Sequence, residues 1–479
     1  MGGGFTLREY QKQTLDKVRA ALRRTQRVLL QSPTGSGKSV MIASMIGGAR
    51  ERGLSAWLIC HRRELLDQLS GTLWASGVPH GFIAAGRSPS DHPVQLCSVQ
   101  TLVRRLGKLR PPNLLAVDEA HHASAASYRK ILAFANRSWV VGLTATPVRT
   151  DGAGLDDLFD DLVEGPSVAW LMERGFLSRY RVLAPPQAID LTGVRKRAGD
   201  FARGELEAVV DQSAVVGDAV SHYQKYLGSR PGTPVCLVYC VSRVHARHVT
   251  EAYRQAGVNA LYCAGDTPDG ERKRIIEGFR HADPAVIVSV DLFGEGLDVP
   301  RLDAVQLLRP TQSLGLHLQQ IGRALRPDGD KVALIMDHVG NTYRHGLPDD
   351  EREWSLEGSK KKDGSEESGP AVRGCDKCFS VYSSFLPRCP QCGHEPEVQA
   401  RKGVPDEVEG ELEEVDPEEH RRRRKVEEYE AGDDLESWVK LAMERRHKAS
   451  WAGIRWSLRT GVDRGTGIKK AQRLWRELA

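Results

Sequence analysis

The sequence predicts an α/β protein: two tandem doubly wound parallel-sheet lobes, then a small cysteine ribbon and a short α-helical C-terminal segment. Three observations predict it. Short apolar runs such as Val28–Leu30, Leu114–Val117, Val235–Cys240 and Ala285–Val290 alternate with helical stretches through most of the chain, the order that builds parallel sheets. Polar clusters follow directly on those runs, at the strand ends where open parallel sheets bind ligands. The nine cysteines divide into five scattered among core-like runs and four gathered in two Cys-x₂-Cys pairs. The expected organisation is a first lobe over 1–172 and a second over 173–345. A flexible linker follows over 346–372, a ribbon over 373–395, a charged linker or helix over 396–430, and a basic helical segment over 431–479.

Composition narrows the class. The balance of 68 Lys+Arg against 63 Asp+Glu leaves only +5, so local charge says more about partners than total charge. No stretch is apolar enough to span a bilayer, and Met1–Phe5 lacks the regions of a secretory leader. Scattered cysteines fit a reducing, cytoplasmic setting.

The first strand, Val28-Leu29-Leu30, leads into Gln31-Ser32-Pro33-Thr34-Gly35-Ser36-Gly37-Lys38-Ser39 and then into an apolar helix. Strand, glycine-containing loop, Lys-Ser and helix is a phosphate cradle. Gly35 and Gly37 free the backbone so that successive N–H groups converge on phosphate oxygens at the helix N-terminus. Pro33, Thr34 and Ser36 complete that loop. Lys38 can then reach the β and γ phosphates, and Ser39 can ligate Mg²⁺. The strict pattern wants glycine at position 32, where this chain has Ser32. Upstream, Gln11 can read an adenine edge.

Later strand ends carry further candidates. His61-Arg62-Arg63 follows Ala56–Cys60, and Gln100-Thr101 follows another junction. Leu114–Val117 delivers Asp118-Glu119-Ala120-His121. Two carboxylates after a buried strand are costly without a ligand. Asp118 is expected to hold Mg²⁺ through water, and Glu119 to orient and deprotonate the attacking water. Thr144 and Thr146 follow Trp139–Leu143, where hydroxyls can couple the nucleotide site to a second site, with His121 as a partner.

These spaced residues resemble a superfamily 2 helicase or translocase of the DEAD/DEAH-box type, in which Ser32 is ordinary. The second half resembles the same group. Arg243 and Thr267 close strand-to-helix junctions, and His317–Arg326 reads as one helix with Gln319, Arg323 and Arg326 on a shared face. As arginine fingers, Arg323 and Arg326 would neutralise γ-phosphate charge in the transition state. The resemblance also assigns Gly296 and Asp298 to the ATP site, and it implies RecA-like lobes with ATP sealed between them. Gly265-Asp266-Thr267-Pro268 and Asp337–Asn341 look most like the bacterial and phage branch related to XPB-type DNA helicases. That branch implies a cytoplasmic, nucleoid-associated DNA-dependent ATPase moving 3′ to 5′. Arg62, Gln100, Thr101, Arg243 and Thr267 are the expected DNA contacts, made through phosphates. Two other readings stay open: a nucleotide-switched DNA clamp or scaffold that does not move, and an RNA-directed helicase.

Cys375-x₂-Cys378, ten residues, then Cys389-x₂-Cys392 match a closed tetrahedral Zn²⁺ site. A segment this short needs such a staple to fold. Protein partners could dock on the ribbon or beyond it. An acidic run to Glu419 switches to His420–Lys425, a solvated charged face or a nucleic-acid patch. The last segment carries Trp438, Trp451, Trp456 and Trp475 among basic residues. These rings are either the core of a helical unit or stacking platforms for bases.

Overall fold

The computed structural model describes most of residues 6–357 and 431–478, the short strands Val372–Gly374, Val381–Ser383 and Glu413–Val415, and a few isolated residues. Outside the described residues lie Arg62, residues 185–190 and 295–298, and the four clustered cysteines. The chain forms two compact units, residues 1–180 with 188–367, and residues 181–187 with 368–479.

The first unit holds both lobes. Lobe one is a sheet of β1 (Arg27–Gln31), β2 (Ala56–Cys60), β3 (Gly81–Ile83), β4 (Val94–Ser98), β5 (Leu114–Val117), β6 (Trp139–Thr144) and β7 (Asp161–Glu164). Their order is β3-β4-β2-β5-β6-β1-β7 and the pairings are parallel. Side chains alternate across each strand, so a sheet covered on both faces needs continuous apolar runs. Val28 and Leu30 enter one core with Leu58, Ala116 and Val141, whereas Leu29 enters the other with Ile59, Leu115 and Val140. The first helix, α1 (Glu9–Leu22), buries Tyr10, Leu15, Val18 and Ala21 at helical spacing.

This strand order places the chemistry. Adjacent parallel strands end together, and β1 lies beside β6, which lies beside β5. Gln31 is in register with Thr144, and Val117 with Gly142. The loop after β1, the acids after β5 and the threonines at the end of β6 therefore emerge side by side, although they span more than a hundred residues of sequence.

Lobe two contains parallel strands in the spatial order Ala260–Ala264, Val286–Val290, Cys236–Tyr239, Ala304–Leu307, Val332–Asp337. The helix Leu314–Gly322 follows the strand Ala304–Leu307 in the chain, capped by the Ser313 hydroxyl, which accepts from the Leu316 N–H, and buries His317, Gln319, Gln320 and Ile321. It ends sooner than its sequence suggests. Arg323 is its C-cap and Arg326 lies beyond it, so the expected single helical face for Gln319, Arg323 and Arg326 is not formed. The five scattered cysteines are buried free thiols. Burial pushes the thiols of Cys60, Cys97 and Cys236 well up, as expected of structural cysteines.

The second unit ends in three helices, Leu435–Glu444, Ala449–Thr460 and Arg464–Leu478. Their core contains Trp438, Val439, Leu441, Ala442, Trp451, Ala452 and Ala471, with Trp456 and Trp475 packed at its margin. The tryptophans are packing residues. No helix among the described residues is long and apolar enough to cross a membrane.

Candidate nucleotide site

The loop between β1 and α2 (Lys38–Glu51) needs its glycines on two counts. Gly35 and Gly37 sit at φ +87° and +82°, a left-handed region that side chains disfavour. A Cβ at Gly37 would also stand 2.4 Å from Gln11 Nε2, and one at Gly35 2.7 Å from Leu177 Cδ2. Ser32, the departure from the strict pattern, braces the loop: its hydroxyl donates to Ser36 Oγ at 2.7 Å, and Ser36 Oγ donates to the Pro33 carbonyl at 2.7 Å.

Lys38 folds back onto its own loop, donating to the carbonyls of Ser32 at 2.8 Å and Pro33 at 3.1 Å. Burial pushes its ammonium pKa below the ordinary value, Glu119 and Asp118 pull it back up, and Arg323 and Arg326 push it further down. Lys38 thus lies among the two acids of lobe one and the two arginines of lobe two.

Glu119 is one of three non-glycine residues with positive φ among the described residues, at +47°. Such a conformation costs about 1–3 kcal/mol and persists where its surroundings impose it. It turns the carboxylate toward His121, whose Nδ1 lies 3.5 Å from Glu119 Oε2 and 3.1 Å from Thr144 Oγ1. The Thr144 hydroxyl donates to the Thr146 carbonyl at 2.7 Å, so His121 Nδ1 must donate to it. That tautomer, assigned from the network, leaves Nε2 to accept from Gln319 Nε2 at 3.4 Å. The chain Gln319–His121–Thr144–Thr146 runs from one lobe into the other.

Lobe two closes over the loop. A Cβ at Gly322 would lie 2.7 Å from Thr34 Cβ, and one at Gly315 2.9 Å from Thr146 Oγ1. Arg323 donates from Nε and Nη2 to the Gly294 carbonyl at 3.2 and 2.8 Å. The segment carrying Arg326 is held by Ser178, whose N–H and hydroxyl donate to the carbonyls of Leu325 and Arg326 at 2.8 and 3.1 Å.

Around the far side of the loop, Gln11 has both amide ends engaged. Its Nε2 donates to the Ser36 carbonyl at 3.1 Å and its Oε1 accepts from the Arg8 N–H at 2.9 Å. The Tyr10 hydroxyl donates to the same Ser36 carbonyl. Tyr10 packs on Phe176 and Trp170, centroids 5.0 and 5.7 Å away, and the Arg8 guanidinium covers Phe176 at 4.6 Å. Sequence reasoning missed this aromatic group, because Trp170 and Phe176 are more than 150 residues from Tyr10.

Both lobes match known families. Residues 4–149 match the family of the type III restriction enzyme res subunit, and residues 219–328 match the helicase conserved C-terminal domain. A 51.5 kDa protein of a Lactococcus phage (isolate 7-9) is 33% identical over 419 residues, 87% of this chain and 88% of that one. The chain belongs to the superfamily 2 helicases. A Saccharomyces cerevisiae protein named as the ATP-dependent helicase IRC3 is 29% identical over 70% of this chain, which spans 51% of its length. The solved fragment of an HsdR-type subunit of a type I restriction enzyme from Vibrio vulnificus YJ016 shares the fold at TM-score 0.57 and 20% identity, covering 73% of this chain and 67% of that one.

As a superfamily 2 helicase, the protein is an ATP-dependent enzyme acting on nucleic acid, and ATP and Mg²⁺ are its family's working pair. The residues expected at the nucleic acid are less drawn together. Gln100 Nε2 donates to the His61 carbonyl at 3.0 Å, and the Thr101 N–H is capped by Ser98. Thr267 is buried and its hydroxyl accepts from the Ala264 N–H at 3.0 Å, while exposed Arg243 stands 3.8 Å from Asp266. Arg62, Gly296 and Asp298 lie outside the described residues.

Proposed function

We propose that the protein is a DNA motor that couples Mg-ATP hydrolysis to 3′-to-5′ movement along DNA, with strand separation as the outcome of that movement. The observation that carries this reading is the meeting of Lys38, Asp118 and Glu119 of lobe one with Arg323 and Arg326 of lobe two around one phosphate loop. A clamp that only binds nucleotide needs the loop. It does not need a base and two arginines from a second lobe.

Each residue then has a task. The N–H groups of Thr34–Ser39 cradle the β and γ phosphates, which replace the Ser32 and Pro33 carbonyls as the partners of Lys38. Arriving phosphate raises the affinity of Lys38 for its proton and keeps it charged. Ser39 and Asp118 would hold Mg²⁺, which neutralises phosphate charge when bound. Glu119 accepts the proton of the attacking water, and Arg323 and Arg326 stabilise the equatorial oxygens in the transition state. Gln11, Tyr10, Phe176 and Trp170 form the slot for the base. The Gln319–His121–Thr144–Thr146 chain reports the state of the phosphate to both lobes. DNA over RNA is supported by the restriction-enzyme family that lobe one matches. The test compares ATP turnover with single-stranded DNA, forked DNA, duplex DNA and RNA. DNA should raise turnover well above the basal rate; stimulation by RNA alone, or by none of them, would refute the reading.

The paired cysteines support a zinc ribbon. Val372–Gly374 and Val381–Ser383 pair as an antiparallel hairpin. In sequence, Cys375 and Cys378 fall between these strands and Cys389 and Cys392 follow them, the spacing of two zinc knuckles. Four thiolates would supply a closed structural site. Elemental analysis should find about one Zn²⁺ per chain. Substituting Cys375 and Cys389 by serine should remove it while ATP turnover without DNA survives. Unchanged metal content in that variant would discard the site.

A further inference from the structure

The three C-terminal helices carry a feature that the motor reading does not use. Ala449–Thr460 and Arg464–Leu478 are separated by only three residues, Gly461-Val462-Asp463. They cross at very close range. A Cβ at Gly453 would lie 2.6 Å from the Gly467 carbonyl, and one at Gly467 2.6 Å from the Gly453 carbonyl and 1.9 Å from Ser457 Oγ. Two glycines thus let backbone meet backbone and lock the crossing. Leu435–Glu444 adds the third helix, with Trp438 packed at a tilt against Trp451 of the second, ring centroids 5.8 Å apart. The indole N–H groups of Trp438 and Trp456 donate to the carbonyls of Gly432 and Asp433 at 2.8 and 2.9 Å, so both indole donors are engaged within the unit.

The last helix is divided in two lengthwise. Gly467, Ala471, Leu474 and Trp475 face its neighbours, at the spacing of one helical stripe. Lys469, Arg473 and Arg476 are exposed on the other side, and exposed Lys470 lies at its margin, its ammonium 5.4 Å from the Trp456 ring centroid. Glu477 is the one acid in this 15-residue helix, and its contact with Arg473 at 3.1 Å is a solvent-exposed pair of the weak kind that a phosphate readily displaces. Arg459, at the end of the preceding helix, is instead held within the unit, its Nε donating to Asp433 Oδ1 at 3.2 Å.

We propose that this unit is a helix-turn-helix that binds duplex DNA, with Arg464–Leu478 in the major groove and Lys469, Lys470, Arg473 and Arg476 against the flanking phosphates. Two helices joined by three residues including glycine, with an exposed second helix, have that architecture. A helix of 15 residues is about 22 Å long and 10–12 Å across, which the B-form major groove of about 12 Å accepts. The deep, narrow major groove of A-form RNA does not. This site would hold the motor on duplex, and it shares no residue with the ATP site, so its test does not depend on the motor reading.

The test uses the full chain without nucleotide and a fluorescent blunt DNA duplex, an RNA duplex of matching sequence and single-stranded DNA. The variant Lys469→Gln/Lys470→Gln/Arg473→Gln should lose duplex DNA affinity by about tenfold or more, and the slope of log affinity against log salt should fall by about 3. Lys469→Arg/Lys470→Arg/Arg473→Lys keeps the charge and should bind as the parent does. ATP turnover stimulated by single-stranded DNA, which reports on the lobes, should be the same in all three proteins. Unchanged duplex affinity in the glutamine variant would overturn the proposal. So would an equal loss on RNA duplex, which removes the groove, or a change in sedimentation with no change in DNA binding, which makes the face a protein contact.

Discussion

Glu119→Gln is expected to bind Mg-ATP close to parent affinity and to hydrolyse it about 10²–10⁴-fold more slowly, the span attributed to a positioned general base. The substitution keeps the shape, and the amide can still lie near His121, but it cannot take a proton. The effect should fall on kcat, because Glu119 is not among the groups expected to grip phosphate. The backbone supports the assignment. A left-handed φ of +47° at a residue with a full side chain costs folding energy, and here it accompanies a nearly buried carboxylate 3.5 Å from His121 Nδ1. Lys38→Ala provides the contrast, since it should lose ATP affinity and turnover together. The measurement is single-turnover hydrolysis beside equilibrium binding of a fluorescent ATP analogue. Parent-like turnover in Glu119→Gln would place the base elsewhere, and lost binding would make Glu119 a ligand-holding residue.

Most of the lobe-one site was legible because it obeys local rules. A buried strand has to end, and the residues that follow it carry the polar groups. Gly35, Gly37, Lys38, Asp118, Glu119, Thr144 and Thr146 all stand at such ends, and parallel register brings β1, β5 and β6 to one edge. The His121–Gln319 contact was legible only as two separate motifs, since nothing in spacing says that residues 198 apart meet. The aromatic group beside Gln11 was not legible: Trp170 and Phe176 look like ordinary apolar residues until the chain folds them onto Tyr10. The end of the helix at Gly322 was misread for a physical reason. Gln319, Arg323 and Arg326 suit a continuing helix, but Gly322 is a poor helix former that packs on Thr34, and the Leu325 and Arg326 carbonyls are taken by Ser178.

A second region was equally hidden. Buried Arg309 pairs with Asp291 and, at 3.2 Å, with Asp200, three segments whose charges give no pairing signal in sequence. Asp200 also accepts from the Thr311 hydroxyl at 3.1 Å and the Gln312 N–H at 2.8 Å. These bonds fix the turn that enters the helix Leu314–Gly322. Asp291 opens the loop whose Gly294 carbonyl holds Arg323, and the Tyr239 hydroxyl fixes that loop through the Phe293 carbonyl at 3.1 Å. The arginine is therefore held by backbone, and the backbone by a buried ion network. A guanidinium held on a carbonyl is ready to move, because exchanging a neutral acceptor for a phosphate oxygen gains a charge-assisted bond.

Arg323→Ala should accordingly lower kcat by about 10³-fold or more, the range for an arginine acting on the transition state, with much less change in ATP affinity. The two arginines should separate. Arg323 leaves the Gly294 carbonyl without its donor when substituted, whereas the segment of Arg326 keeps its Ser178 bonds. Arg323→Lys should recover little, since one ammonium cannot reproduce a planar fork that spans two oxygens. Stability is a second readout. Arg323 is buried, so its removal should cost about 1–3 kcal/mol in lobe two through the unpaired carbonyl, and Arg326→Ala should cost less. The checks are steady-state turnover with saturating DNA, ATP-analogue affinity and thermal unfolding for each variant. A finger predicts a fall in kcat at constant DNA affinity. Reduced DNA affinity with intact kcat at saturating DNA would instead move Arg323 from the ATP site to the track.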